Sequence, residues 1–227
     1  MEIRIRDTGQ VVSDREFIAM NANSSLPGGV LTSSFIEEHG GDAVLEAPAP
    51  AITQYQSALR NGVVQDALGN WVYAWIVRDW SAEEISAALD QIRNNQWELI
   101  KAKRELLSDT AGYKVSVAGV DKWFHSDPKS KTQQLANKDT ARDQLAAGGT
   151  MTDSILDEET GQTIAWKTMD GTFVVMTCQL AFDVVRAAKG ADFAIFKAAE
   201  VHNATMRQVA DPSTYDFSGG WPEAYPG

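Results

Sequence analysis

The chain has 227 residues, room for one large domain or two to three small ones, and at roughly 100–150 residues per domain two is the better expectation. Twenty Lys and Arg against thirty-one Asp and Glu leave a net charge of −11, which argues against nucleic acid or an anionic membrane as partner, because phosphate contacts are made largely by Lys and Arg. A hydrophobic fraction of 44% excludes wholesale disorder, and the lone Cys178 excludes an internally disulfide-stapled scaffold.

Residues 2–6 alternate charged and apolar side chains, so they read as a strand with Ile3 and Ile5 on one face. This start lacks the apolar core of a signal peptide, and no run approaches the length of a membrane span. The expectation is a soluble chain made in the cytoplasm. Ser13-Asp14-Arg15-Glu16 has capping-box spacing ahead of Phe17, Ile18 and Met20, so a short helix follows. Pro27-Gly28-Gly29 breaks the chain, and Thr32 caps a second short helix that carries Phe35 and Ile36 and stops at Gly40-Gly41. Residues 43–46 read as a strand. Over 52–78 the aromatic and β-branched content predicts a meander of three short antiparallel strands, with turns at Asn61-Gly62 and Leu68-Gly69-Asn70.

Ser81-Ala82-Glu83-Glu84 is a second capping box. Behind it Ile85, Leu89, Ile92, Leu99, Ile100, Leu106 and Leu107 recur at three- and four-residue steps, predicting a helix over 82–107 that connects two modules. The second half opens with a hairpin through Tyr113–Val117 and Val120–Phe124. Asp127 and Pro128 then start a helix running to Ala147, in the favoured order of an oxygen cap followed by Pro. A second hairpin, 163–167 and 172–176, turns at Asp170-Gly171. Thr177 caps a last helix with Leu180, Ala181, Val184, Val185, Ala188, Ile195, Phe196, Ala199 and Met206 on its stripe, and Gly190 is a candidate kink. The tail beyond Asp211-Pro212 holds Tyr215, Phe217, Trp221 and Tyr225 and is expected to dock on something. The predicted fold class is therefore α+β: an N-terminal module over 1–80 with the meander, a connecting helix over 81–108, and a C-terminal module over 109–227.

Little in the chain carries chemistry. His39, His125 and His202 have no partner at metal-ligand spacing, no phosphate loop or nucleophile elbow occurs, and no catalytic residue, metal or cofactor is expected. His125-Ser126-Asp127 holds triad residue types, but triad members converge from separated segments, so the plainer reading is a strand end with Trp123 buried, running into a helix cap. Trp71, Trp75 and Trp80, with Tyr73, either form a surface that stacks sugars or, for the Trp71, Tyr73 and Trp75 strand face, pack on helix 82–107. Asp157-Glu158-Glu159 reads as a solvated loop, and Cys178 as a small buried hydrophobe. The candidate interaction surface comprises Trp71, Trp75, Trp123, His125, Tyr215, Phe217 and Trp221.

Two stretches carry a resemblance. Glu16-Phe17, Asn23 to Pro27, Leu31-Thr32, Gly40 to Val44, Tyr55-Gln56, Gly62 to Gln65, Gly69 to Val72, Val77 and Asp79 to Glu84 resemble small phage proteins encoded beside tail fibres, often labelled tail-fibre assembly or tail proteins. Trp123 to Leu135, Trp166 to Gly171 and Tyr215 to Trp221 are similar to a domain of unknown function in phage and prophage proteins, with residues 136–163 departing from it and loop 150–161 reading as an insertion. The resemblance implies a virion part at the distal tail, made in the host cytoplasm and contacting a tail fibre or other tail proteins. It further implies a homo-oligomer, with a trimer favoured by analogy with fibres. The alternatives are a fibre assembly chaperone that leaves the virion, and a host-surface glycan or receptor reader using Trp71, Trp75 or Trp123.

Overall fold

Ser13 accepts a hydrogen bond from the Glu16 amide at 3.2 Å, while the Glu16 carboxylate accepts from the Ser13 amide at 2.8 Å, and this reciprocal box starts the first helix. The computed structural model describes residues 1–26 and 29–227, so the chain break expected at Pro27-Gly28-Gly29 lies partly outside the described residues. The fold is α+β. The chain divides into two compact units, Met1–Ala87 and Ala88–Gly227.

The first unit is a mixed sheet of β1 (Glu2–Ile5), β2 (Val11–Ser13), β3 (Gly41–Leu45), β4 (Gln56–Gln65) and β5 (Trp71–Asp79), in the order β2-β1-β3-β5-β4. Its helices are α1 (Asp14–Met20) and α2 (Ser33–Glu38), the latter capped by Thr32. Ile3, Val12, Phe17, Phe35 and Ile36 form the core. Gly41 has no side chain because a Cβ there would lie 2.7 Å from Ile36 and 2.8 Å from Ile3. The meander of three short strands is not what forms. Asn61-Gly62 is a bulge, where the β4–β5 register shifts between Arg60 and Val63, and the two flanking runs are one ten-residue strand. A lone Asn-Gly serves a bulge as well as a turn, since both need a residue at positive φ; Gly62 has φ 76°. β3 and β5 pair in parallel, a long-range pairing with no local signal in the residues.

Helix α3 (Ala82–Thr110) begins in the first unit and lies mostly in the second. The chain passes from one unit to the other within this helix. Ile100 is fully buried, and Lys131 Nζ on α4 (Pro128–Ala146) bonds Ser108 O at 3.0 Å and Asp192 at 2.9 Å. Leu99 and Leu106, expected on its apolar stripe, are 54% and 61% exposed. The hairpins are β6 (Tyr113–Val117) with β7 (Val120–Phe124) and β8 (Ala165–Lys167) with β9 (Phe173–Val175). Helix α5 (Cys178–Met206) runs unbroken through Gly190 and presents Cys178, Leu180, Ala181, Val184 and Ala188 to the core around Phe124, Ile155 and Met176. On the predicted stripe Phe196 is the exception, 49% exposed. Loop 150–161 is built into this unit. The Ile155 amide donates to Met176 O at 2.7 Å, the Ile164 amide to Ile155 O at 2.9 Å, and the Ile155 side chain is fully buried.

Gly112 joins α3 to β6 at φ +69°, where an added Cβ would sit 2.4 Å from Met169 Sδ and 3.0 Å from Phe124 O. Gly112→Ala is expected to destabilise the chain by about 2–4 kcal/mol through backbone strain and overpacking, read as a lower midpoint in urea. In the first unit the Glu84 carboxyl is pulled down to about 2, first by the hydrogen bonds from Arg78 at 2.8 Å and then by the Ser81 amide. A carboxyl depressed by folding adds stability above its unfolded value near 4.5, lost as pH falls towards 2. Glu84→Gln should therefore flatten the stability profile across that acid window, and added salt should shrink the difference because the pair is exposed.

Candidate interaction site

The seven residues singled out in the sequence do not form one surface. Trp71 and Trp75 belong to the first unit, on the sheet face that also carries Tyr73. Arginine side chains lie against them. The Arg4 guanidinium lies 3.9 Å from the Trp71 ring centre, and that of Arg60 lies 3.8 Å from Tyr73 and 5.9 Å from Trp75. Glu46 clamps Arg60 from the other side at 2.6 and 2.8 Å, and Trp75 Nε1 donates to Ala47 O at 3.1 Å. A sugar stacking on the arginine-covered face of Trp71 or Tyr73 would have to displace a paired guanidinium.

In the second unit the aromatic tail docks on its own chain. His202 Nδ1 lies 2.8 Å from the Tyr215 hydroxyl, and its ring centre is 5.0 Å from that of Trp221. Trp221 Nε1 donates to Phe217 O at 2.8 Å. Lys103 Nζ on α3 donates to Ser218 O at 2.8 Å and lies 5.3 Å from the Trp221 ring and 5.9 Å from Phe217. The Tyr225 amide donates to Ala111 O at 2.8 Å, and its ring meets Trp123 edge-on. Trp123 is half-buried, not buried as expected, with Lys114 5.2 Å from its ring. Tyr215, Phe217 and Trp221 thus close a strap across α3 and α5. Lys103 and His202, which hold it, are sequence-distant from the tail and carry no local signal.

Ser126 and Asp127 are engaged in building the unit. The Ser126 hydroxyl accepts from the Gly112 amide at 2.9 Å, and Asp127 caps α4 by accepting from Ser130 at 2.9 Å. That cap holds the Asp127 carboxyl below its ordinary value, and burial pushes the Cys178 thiol up. Among the described residues no cluster of His, Cys, Asp and Glu could hold a metal ion.

His125 faces an open groove of about 540 Å³. One wall is the α4 face of Ser130, Gln133, Ala136 and Asn137, and the other is the consecutive run Ile164 to Lys167, with Phe173. The hairpin wall is held rigidly. Asp170 in its turn takes Lys122 Nζ at 2.8 Å, the Thr168 hydroxyl at 2.6 Å and the Thr172 hydroxyl at 2.7 Å, which together keep its carboxyl well below the usual range. The Met169 amide donates to Trp123 O at 2.9 Å, tying this turn to β7. The Trp166 indole N–H is buried with no acceptor among the described residues. Of the groove residues, only His125 is among the candidate interaction residues read from the sequence.

The profile of the family described as a domain of unknown function, DUF4376, matches residues 91–219. The chain belongs to this family. The match covers α3 from residue 91 onward, both hairpins, α4, α5 and the tail as far as Gly219, and so includes the groove and most of the strap. Neither a curated protein nor a solved structure matches the chain.

If the strap is held by its aromatics, Trp221→Ala should lower stability by about 2 kcal/mol, below the full-burial cost of a Trp because the ring is half-buried. Limited proteolysis beyond Asp211 should quicken in parallel; an unchanged cleavage rate would count against a docked tail.

Proposed function

We propose that this chain is a non-enzymatic bacteriophage tail protein at the fibre or baseplate, acting by protein–protein contact as a structural or adaptor component of the virion. The tail assignment is supported by the resemblance of both halves to phage proteins. The mode of action is supported by one structural observation: Leu99 and Leu106 on α3 and Phe193, Phe196 and Val201 on α5 are each about half exposed or more, at 54%, 61%, 69%, 49% and 56%. Large apolar side chains held out on two long helices are surface a partner would cover. The occupant we favour is a further copy of the chain, since units of this size bury a smaller fraction of their surface than larger domains do and self-association offsets that.

Purified particles should contain the chain in multiple copies by quantitative mass spectrometry, and the isolated protein should be oligomeric by light scattering. Leu106→Glu with Phe193→Glu should shift it to monomer while moving the melting temperature by no more than about 2 °C, because both sites are exposed. Absence from particles together with a stable fibre complex in infected cells would convert the reading to an assembly chaperone. A wild-type monomer absent from particles would sink it.

A further inference from the structure

One wall of the groove beside His125 is an unpaired strand edge, that of β8. The Thr168 amide donates to Thr172 O at 2.8 Å and the Met176 amide to Ile164 O at 2.9 Å. In an antiparallel ladder with Trp166 opposite Val174, those two bonds fix the alternation. Ile164, Trp166 and Thr168 turn their backbone groups towards the β9 side, and Ala165 and Lys167 turn theirs outward. Neither Ala165 nor Lys167 makes a backbone hydrogen bond on that outer side among the described residues. The groove is lined by four consecutive residues of this strand region, Ile164 to Lys167, so it borders the β8 edge, and Phe173 on β9, opposite Lys167, also reaches it. Across it, Ser130, Gln133 and Asn137 share one face of α4.

Charge selects the occupant. In a chain of net charge −11 the groove lining contains no carboxylate, while it includes His125 and the exposed Lys167, which makes no ion pair among the described residues. Its apolar part is Ile164, Trp166, Phe173 and Ala136, and its volume of about 540 Å³ lies within the size range of ligand clefts. We propose that this groove binds an extended segment of a partner protein, alternating acidic and apolar residues, as a third strand added to β8 between the hairpin and α4. Ala165 and Lys167 would each supply one N–H and one C=O to it, Gln133 and Asn137 amide contacts, Trp166 the apolar seat on one face of the added strand, and Lys167 the charge on the other. The inference rests on reading the chain as an interaction protein, and uses a surface separate from the exposed leucines and phenylalanines of α3 and α5.

The test is amide-proton NMR of the ¹⁵N-labelled full chain titrated with acetyl-Glu-Val-Glu-Val-Glu-amide and, separately, with its lysine counterpart acetyl-Lys-Val-Lys-Val-Lys-amide. The acidic peptide should shift the amides of Ala165, Lys167, Gln133 and Asn137 saturably, and the basic peptide should not. Ala165→Pro removes a donor that lies outside the β8–β9 ladder, so the hairpin should persist while binding weakens about tenfold. Lys167→Glu should weaken the acidic peptide at least about five-fold and shift preference towards the basic one. No saturable shift at millimolar peptide, or equal shifts from both peptides, would overturn the proposal and leave Lys167 as a guard on a short edge. Shifts at Ala165 and Lys167 that grow with protein concentration alone would replace the partner with a second copy. Particle composition and oligomer size are measured without peptide, so the groove and the wider contact reading can fail separately.

Discussion

The second unit depends on one strip of small side chains. Cys178, Ala181, Val184 and Ala188 lie at three- and four-residue steps along α5 and are all buried. Against that strip close Phe124 from the first hairpin, Ala141 from α4, Ile155 from the loop, and Val174 and Met176 from the second hairpin. Small residues there let four separate segments approach one helix at close-packed distance. A larger residue anywhere on the strip would push several segments away together, because they share it. Ordering of the hairpins, and hence of the groove, follows from this packing and not from their own short ladders, since isolated two-stranded hairpins are marginal in water.

Polar bonds then fix the orientation of what the strip gathers. Lys131 reaches Ser108 on α3 and Asp192 on α5, and Ser108 donates to Asp192 at 2.8 Å, so three helices meet at one ion pair. The Tyr113 hydroxyl donates to the buried Gln134 amide oxygen, and Gln134 donates to His125 O at 3.0 Å. Burial raises the Tyr113 pKa, so the phenol stays a neutral donor. The asymmetry of buried hydrogen bonds makes these contacts matter more when broken than when made: removing Gln134 would leave a phenol and a carbonyl without partners in the core. They also place His125 at the mouth of the groove through its backbone rather than its ring.

The chemistry of caps was legible and the pairing of strands was not. Ser13-x-x-Glu16, Thr32, Ser81-x-x-Glu84, Asp127-Pro128 and Thr177 mark five helix starts, each through contacts within four residues, so a local reading suffices. The same local reading treats Asn61-Gly62 as a turn, because only the distant partner strand shows that the chain continues straight through a bulge. It places Leu99, Leu106 and Phe196 on buried stripes, because periodicity records amphipathic character and is silent on whether a neighbour arrives. Ile155 illustrates the opposite case: a lone apolar residue in an Asp- and Thr-rich loop gives no periodic signal, yet it is wholly buried. The groove was nearly invisible for the same reason, since its walls come from segments about 30 residues apart.

Strand edges in the two units are treated differently, and the contrast bears on the groove. In the first unit the long edge strand β4 carries a bulge at Asn61-Gly62, which interrupts its outer ladder and adds twist. The opposite edge, β2, is only three residues long and runs straight into α1. Both devices discourage pairing with another chain. β8 is also short, but its pairing with β9 has no register break, its outward groups border an open cleft, and a helix stands across from it to receive side chains. A helix beside a bare edge limits approach to a single extended segment and excludes a second sheet, which separates specific strand addition from indiscriminate edge-to-edge association. The rigid turn at Asp170 matters here too. Held by Lys122, Thr168 and Thr172, it presents the edge already straight, so an incoming segment would bear the ordering cost alone.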